Sequence, residues 1–191
     1  MPNERFVVAI TGAQGVGKST FCRELASTLR TTLGEDVPLL DDLGATVAAM
    51  GVPLGSSSTT QTISAVWTTH LEREDGAPGG LVLLDRCVVD ALAYTRVLDL
   101  GTELDRRLLE AVGRLASSRL GVVIHLRLSD FFADRGASHE TPQHRQAVAR
   151  QIICILAEWN TPQVEVDAAT KGAVEKAAQA VLAAYRDSKG A

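Results

Sequence analysis

The segment Gly12-Ala13-Gln14-Gly15-Val16-Gly17-Lys18-Ser19 constrains this chain more than any other, because few folds can carry it. It fits the spacing GxxxxGK[ST] in full. Its glycines let the backbone turn where side chains would clash, so that successive N–H groups point inward at the oxygens of an anion. A helix that follows directly would present its partly positive end to the same anion. The flanks supply that context. Arg5–Thr11 (RFVVAIT) is a short, β-branched, almost continuous apolar run, suited to a strand buried on both faces of a parallel sheet. After it, Cys22, Leu25, Ala26 and Leu29 recur at helical spacing until Gly34 offers a stop.

The rest of the chain alternates in the same way. Strands are predicted at Val37–Asp41, Leu81–Asp85, Gly121–Leu126 and Val164–Val166. Helices are predicted at Thr46–Met50, Gln61–Glu74 and Val89–Leu98. A further helix is capped by Thr102 and has one apolar face of Leu104, Leu108, Ala111 and Leu115. Another opens at Thr141-Pro142, and a last one is capped by Thr170. Such alternation predicts an α/β fold with a parallel sheet. At 191 residues, one domain over 1–191 is expected. Asp130–Thr141 is polar and without period.

Composition narrows the function classes. A formal charge of -4 gives no broad nucleic-acid footprint, and no apolar run reaches the length of a membrane span. Cys22, Cys87 and Cys154 are widely spaced and read as reduced thiols, so a cytoplasmic location is expected.

Lys18 is placed to reach the outer phosphates of ATP, and the Ser19 hydroxyl to ligate Mg²⁺. Gly12, Ala13, Gln14, Gly15, Val16, Gly17, Lys18, Ser19 and Thr20 are the expected nucleotide-binding residues. Asp85-Arg86 ends the LVLLD strand, where open parallel sheets bind ligands. Asp85 there can steady Mg²⁺ through water, and Arg86 can steady an oxygen of the acceptor or of the transferring group. A charged strand cap is the structural alternative. Asp41-Asp42 would reach the same sheet edge, either as a base for an attacking hydroxyl or as solvated acids starting a turn. Asp90 and Tyr94, one helical turn apart, could face an acceptor or join their helix to the core. His70, His125, His139 and His144 show no metal-ligand spacing.

With these residues in view, the chain resembles small P-loop kinases of the nucleoside and nucleotide kinase group. The likeness is nearest to the compact AAA-type ATPase/kinase domains related to bacterial ribosylnicotinamide kinase, with thymidylate and deoxynucleoside kinases more distant. GAQGVGKS, LVLLDRCVVDALAY and DLGATVAAMG carry it. The resemblance implies a three-layer P-loop NTPase fold, with a five-stranded parallel sheet flanked by helices and a small lid at about 128–141. It implies transfer of the γ-phosphoryl group of ATP to a small nucleoside- or nucleotide-like acceptor. Lys18, Asp42, Arg86 and a lid arginine, Arg135 ahead of Arg127, would be catalytic, while Ser19 and Asp85 would hold the metal. The adenine would rest near Ala168–Lys171, and the Gln61–Glu74 helix would lie near the acceptor, where Trp67 could stack on a base and Gln61 hydrogen-bond it, with core or rim packing the alternative for Trp67. Partners would be small molecules, with no nucleic acid or membrane and with room for a homodimer. Asp42 stands where the family has Glu, and Ala45 where it has Arg, so acceptor identity stays open. The competing class is a nucleotide-dependent regulatory switch, although the guanine-reading Asn-Lys-x-Asp is missing. A non-catalytic nucleotide-binding module is disfavoured by the intact Lys18-Ser19 and Asp85-Arg86.

Overall fold

A computed structural model describes residues 5–41, 43–129 and 140–190. Five strands form one parallel sheet: β1 (Arg5–Thr11), β2 (Leu39–Leu40), β3 (Gly80–Asp85), β4 (Leu120–Leu126) and β5 (Gln163–Val166), in the order β2-β3-β1-β4-β5. The helices are α1 (Lys18–Leu33), α2 (Leu43–Ala49), α3 (Thr60–Gly76), α4 (Val88–Val97), α5 (Glu103–Ser117), α6 (Pro142–Glu158) and α7 (Ala173–Gly190).

Side chains alternate along a strand, so β1 feeds two cores at once. Phe6, Val8 and Ile10 pack with α1 and α7, around Leu25, Leu29 and Val181. Val7 and Ala9 face the opposite layer, around Trp67, Leu92, Ile152 and Ile155 of α3, α4 and α6. This produces the three layers. Ile10 is fully buried, and truncation of such a residue to Ala typically costs about 2–5 kcal/mol.

The expected α/β class and five-strand parallel sheet stand, while several details are corrected. β2 is only two residues long. Pro38 has no N–H to offer the ladder, and its carbonyl instead accepts from Leu83 N–H at 2.9 Å. The stripe on α5 lies outward: Leu104, Leu108 and Leu115 are 76%, 61% and 61% exposed. Gly113, Ala116 and Ser117 face in, because a Cβ on Gly113 would sit 2.6 Å from the Trp159 ring and 2.7 Å from the Trp67 ring. Two indoles thus fix the small-residue side of α5 inward. Thr170 does not cap α7 with its side chain. It lies in the preceding turn, where its carbonyl accepts from Ala173 N–H at 3.1 Å. Among the described residues, no helix is long and apolar enough to cross a membrane.

Candidate active site

The C-terminal ends of β1 and β3 bring the phosphate loop and Asp85-Arg86 together. Gly12 has φ +152°, and a Cβ there would lie 2.6 Å from the Leu126 carbonyl oxygen, so the loop can close over β4 only with glycine. Gly17, with φ 82°, precedes α1, whose first turn is Lys18-Ser19-Thr20. Thr20 and Ser19 are exposed at the mouth of the loop, whereas Lys18 is 5% exposed. The ammonium of Lys18 donates to the carbonyls of Gly12 at 2.5 Å and Ala13 at 2.7 Å. Burial, helped by the charge of Arg86, lowers the Lys18 pKa to about 7, while Asp90 and Asp85 oppose the shift.

Ser19 and Asp85 meet directly: the hydroxyl donates to Asp85 Oδ2 at 2.8 Å. Asp85 Oδ1 is buried and has no hydrogen-bond partner among the described residues. A buried carboxyl oxygen without a donor suits a cation or a cation-bound water. This donor set fits Mg²⁺, which usually takes one or two protein ligands and completes its shell with phosphate and water. Among the described residues, no group of three or more His, Cys, Asp or Glu stands ready to hold a metal unaided.

Arg86 departs from ordinary backbone geometry. Its φ is 74°, uncommon for a residue with a Cβ, and its N–H donates to the Ile10 carbonyl at 2.9 Å. This kink turns the guanidinium along α4, where it lies 3.5 Å from Asp90 Oδ1. Asp90 Oδ2 is held by the Thr11 hydroxyl at 2.8 Å and by Cys87 N–H at 3.1 Å. Asp90 therefore ties the ends of β1 and β3 together and fixes Arg86. Burial opposes the charge on Arg86, yet its pKa is raised, with Asp90 the leading stabiliser.

A cavity of about 400 Å³ opens beside Gln14 of the phosphate loop and runs between α2, α3, α4 and the short helical turn at Gly55–Ser57. Leu43, Val47, Leu54, Ile63 and Val66 form its apolar wall, and Arg86, Asp90, Tyr94, His70 and Glu140 its polar one. The Tyr94 hydroxyl donates to Glu140 Oε1 at 2.8 Å, and burial raises its pKa above the ordinary range. Asp90 and Tyr94 both line the cavity and both anchor α4, Asp90 to the end of β1 through Thr11 and Tyr94 to Glu140 ahead of α6. Trp67 packs in the core, and Gln61 is exposed and outside the cavity lining.

Asp42 and Arg135, two of the four expected catalytic residues, lie outside the described residues, as does most of the expected lid. Asp41 follows β2, and its carbonyl accepts from Arg73 at 3.0 Å. Arg127 pairs with Asp167 at 3.2 Å beside the β5–α7 loop. An arginine outside the expected set reaches the phosphate loop. Arg145 of α6 is 2% exposed, and its Nε donates to the Gln14 carbonyl at 2.8 Å. A Cβ on Gly15 would lie 3.0 Å from its Nη2. Only its nearness to the end of the polar stretch could have flagged it in the sequence.

A sequence model described as an AAA domain matches residues 7–176. The chain belongs to this AAA domain family. No curated protein matches it in sequence. Among solved structures, this AAA domain chain is similar to NadR in complex with NR, with TM-score 0.74 and 20% identity over 95% of this chain and 52% of that one. A second NadR structure, with NAD and AMP-PNP, gives 0.66 and 18% over 95% and 49%. The chain thus spans about half the length of the NadR chains it matches. Deoxyadenosine kinase from M. mycoides, with the products dCMP and dCDP, gives 0.63 and 14% over 95% and 99%. The fold kinship agrees with the kinase group that the sequence resembles.

Proposed function

We propose that this chain is an ATP- and Mg²⁺-dependent phosphotransferase acting on a small nucleoside- or nucleotide-like acceptor held in the cavity beside Arg86. The observation that carries this reading is continuity: the cavity begins at Gln14 of the phosphate loop and has Arg86 and Asp90 in its wall. An acceptor there would face the terminal phosphate. The likeness to chains solved with NR, AMP-PNP, dCMP and dCDP supports the same reading.

In this mechanism the backbone N–H groups of Gly12–Ser19 cradle the phosphates, and Lys18 leaves its loop carbonyls for phosphate oxygens. Ser19 and Asp85 would hold Mg²⁺, which would supply charge neutralisation for the phosphates. Arg86, fixed by Asp90, orients an oxygen of the acceptor or the transferring group. Arg145 places positive charge on the outer side of the loop, where negative charge grows in the transition state. The attacking acceptor oxygen forms its bond to the γ-phosphorus as the bond to the bridging oxygen breaks. Its proton goes to Asp42, and ADP leaves. Arg135 and the expected lid would exclude water. The loop after β5, with Thr170 and Lys171 beside a hollow of about 270 Å³, would border the adenine. Residues 1–191 would act as one cytoplasmic domain, alone or as a homodimer.

Direct measurement of labelled phosphate passing from ATP to a panel of nucleosides and nucleotides, with Mg²⁺, tests this reading. Acceptor-dependent ADP formation with a labelled acceptor is expected. ATP hydrolysis that no acceptor changes, with no labelled product, would refute it and favour a regulatory ATPase.

A further inference from the structure

The cavity wall has a chemical bias that bears on what fills it. Among its described lining residues there is one guanidinium, Arg86, against two carboxyl groups, Asp90 and Glu140. The guanidinium is already engaged by Asp90 at 3.5 Å. An acceptor that brought its own phosphate into this wall would approach Glu140 and meet no uncommitted cation among the described lining residues. Transfer of a phosphate dianion from water without such a partner is strongly unfavourable.

A second observation lies on α3. His70 lines the same cavity, is 2% exposed, and its Nε2 is buried without a hydrogen-bond partner among the described residues. Burial, with Arg73 and Arg86 adding to it, lowers its pKa to about 3, so the ring is neutral at physiological pH. A neutral imidazole adds no charge to hold an anion. It offers one directional hydrogen bond. A buried nitrogen left unpaired has lost its bond to water without replacement, and a polar atom of a bound molecule would restore it.

We infer that the cavity selects a hydroxyl-bearing acceptor with no anionic group, neutral or cationic, and that His70 reads one polar atom of it. This rests on the acceptor reading of the cavity. It makes the transfer a phosphorylation of a hydroxyl, not of a phosphate, and makes His70 a specificity-determining residue. The pocket edge of Arg86 then meets a hydroxyl oxygen, and Glu140 is matched to neutral or positive ligand surface.

Thermal shift tests it, with Mg²⁺ and a non-hydrolysable ATP analogue present, across ribo- and deoxyribonucleosides and their matching 5′-monophosphates. Nucleosides are expected to raise Tm and the monophosphates to raise it less or not at all. Larger shifts with the monophosphates, or none with either class, would overturn the inference. His70→Leu keeps the site apolar, and His70→Gln keeps a hydrogen-bonding group. The dissociation constant of the best nucleoside should rise about tenfold in His70→Leu and recover in His70→Gln, with affinity for the ATP analogue unchanged. Equal nucleoside affinity in wild type and His70→Leu would remove His70 from the proposal. A nucleoside that binds tightly yet receives no phosphate would refute the phosphotransferase reading and leave only the cavity's preference for a ligand without an anionic group and the role of His70 standing, so the two fail separately.

Discussion

Arg145 reaches across the chain to Gln14, donating from Nε to the loop carbonyl at 2.8 Å while it stays 2% exposed. Its charge is therefore held at the phosphate loop before any lid closes. Arg145→Ala is expected to lower turnover on the order of 100-fold, the usual loss for one preorganised donor at a developing charge. Arg145→Lys should recover only part of this, since the ammonium lacks the guanidinium fork. Steady-state kinetics beside Arg135→Ala decide the matter. Full activity in Arg145→Ala and loss in Arg135→Ala would assign the transition-state charge to the lid.

Lys18→Ala should abolish transfer, and it should also change a proton count. The Lys18 pKa, near 7 in the free protein, rises when phosphates replace loop carbonyls as its partners. Nucleotide binding then takes up a proton above pH 7, and affinity falls as pH rises from there. The stability effect has the opposite sign. The native chain binds fewer protons than the unfolded one between about 7 and the ordinary lysine value, so the contribution of Lys18 to stability rises with pH across that window. Calorimetry at pH 8 in buffers of different ionisation enthalpy measures the uptake. An uptake that persists in Lys18→Ala would assign it elsewhere.

Asp42→Asn is expected to lower turnover more than it weakens ATP binding, because a base acts on the attacking hydroxyl and not on the nucleotide. Asp41→Asn is the matched control. Its carbonyl accepts from Arg73 at 3.0 Å. If Asp41→Asn is the damaging change and Asp42→Asn is silent, the base is one residue earlier.

Glu74 offers a test far from the site. Burial raises its pKa to about 7 against the charges of Arg119, Arg73 and Arg5, and its Oε1 has no hydrogen-bond partner among the described residues. The native state then binds more protons than the unfolded state between about 4.5 and 7, so this group's stabilisation is present below that window and is lost as pH rises through it. Glu74→Gln should flatten the slope and stabilise the fold at pH 8 by roughly 1–2 kcal/mol, with turnover unchanged. Chemical denaturation at pH 5 and pH 8 measures it; identical slopes in both proteins would contradict the assignment.

The sequence was legible where a feature is local. Gly12–Ser19, the β1 run before it and LVLLD before Asp85-Arg86 each carry their spacing within a dozen residues, and the Ser19–Asp85 meeting follows from the strand order. It was less legible where a feature depends on which partner arrives. The stripe Leu104, Leu108 and Leu115 is amphipathic, but period alone does not say which side faces in; Gly113 between Trp67 and Trp159 does. Arg145 at the loop and His70 in the cavity wall have no signature, because each gains its role from residues far away in the chain. Arg86 shows another limit, since a φ of 74° is invisible in a residue type that rarely adopts it.

The strand order also dictates when this molecule can exist. β1 sits in the middle of the sheet, yet its neighbours are β3, ending at Asp85, and β4, ending at Leu126. A ribosome that has finished Gly12–Ser19 delivers the second neighbour on the order of ten seconds later at usual elongation rates. Until β3 is made both edges of Phe6 to Ile10 are unpaired, and until β4 follows one of them still is. A chain cut ahead of Leu126 would lack β4 and leave one edge of β1 unpaired, so aggregation rather than a smaller nucleotide binder is the expected outcome.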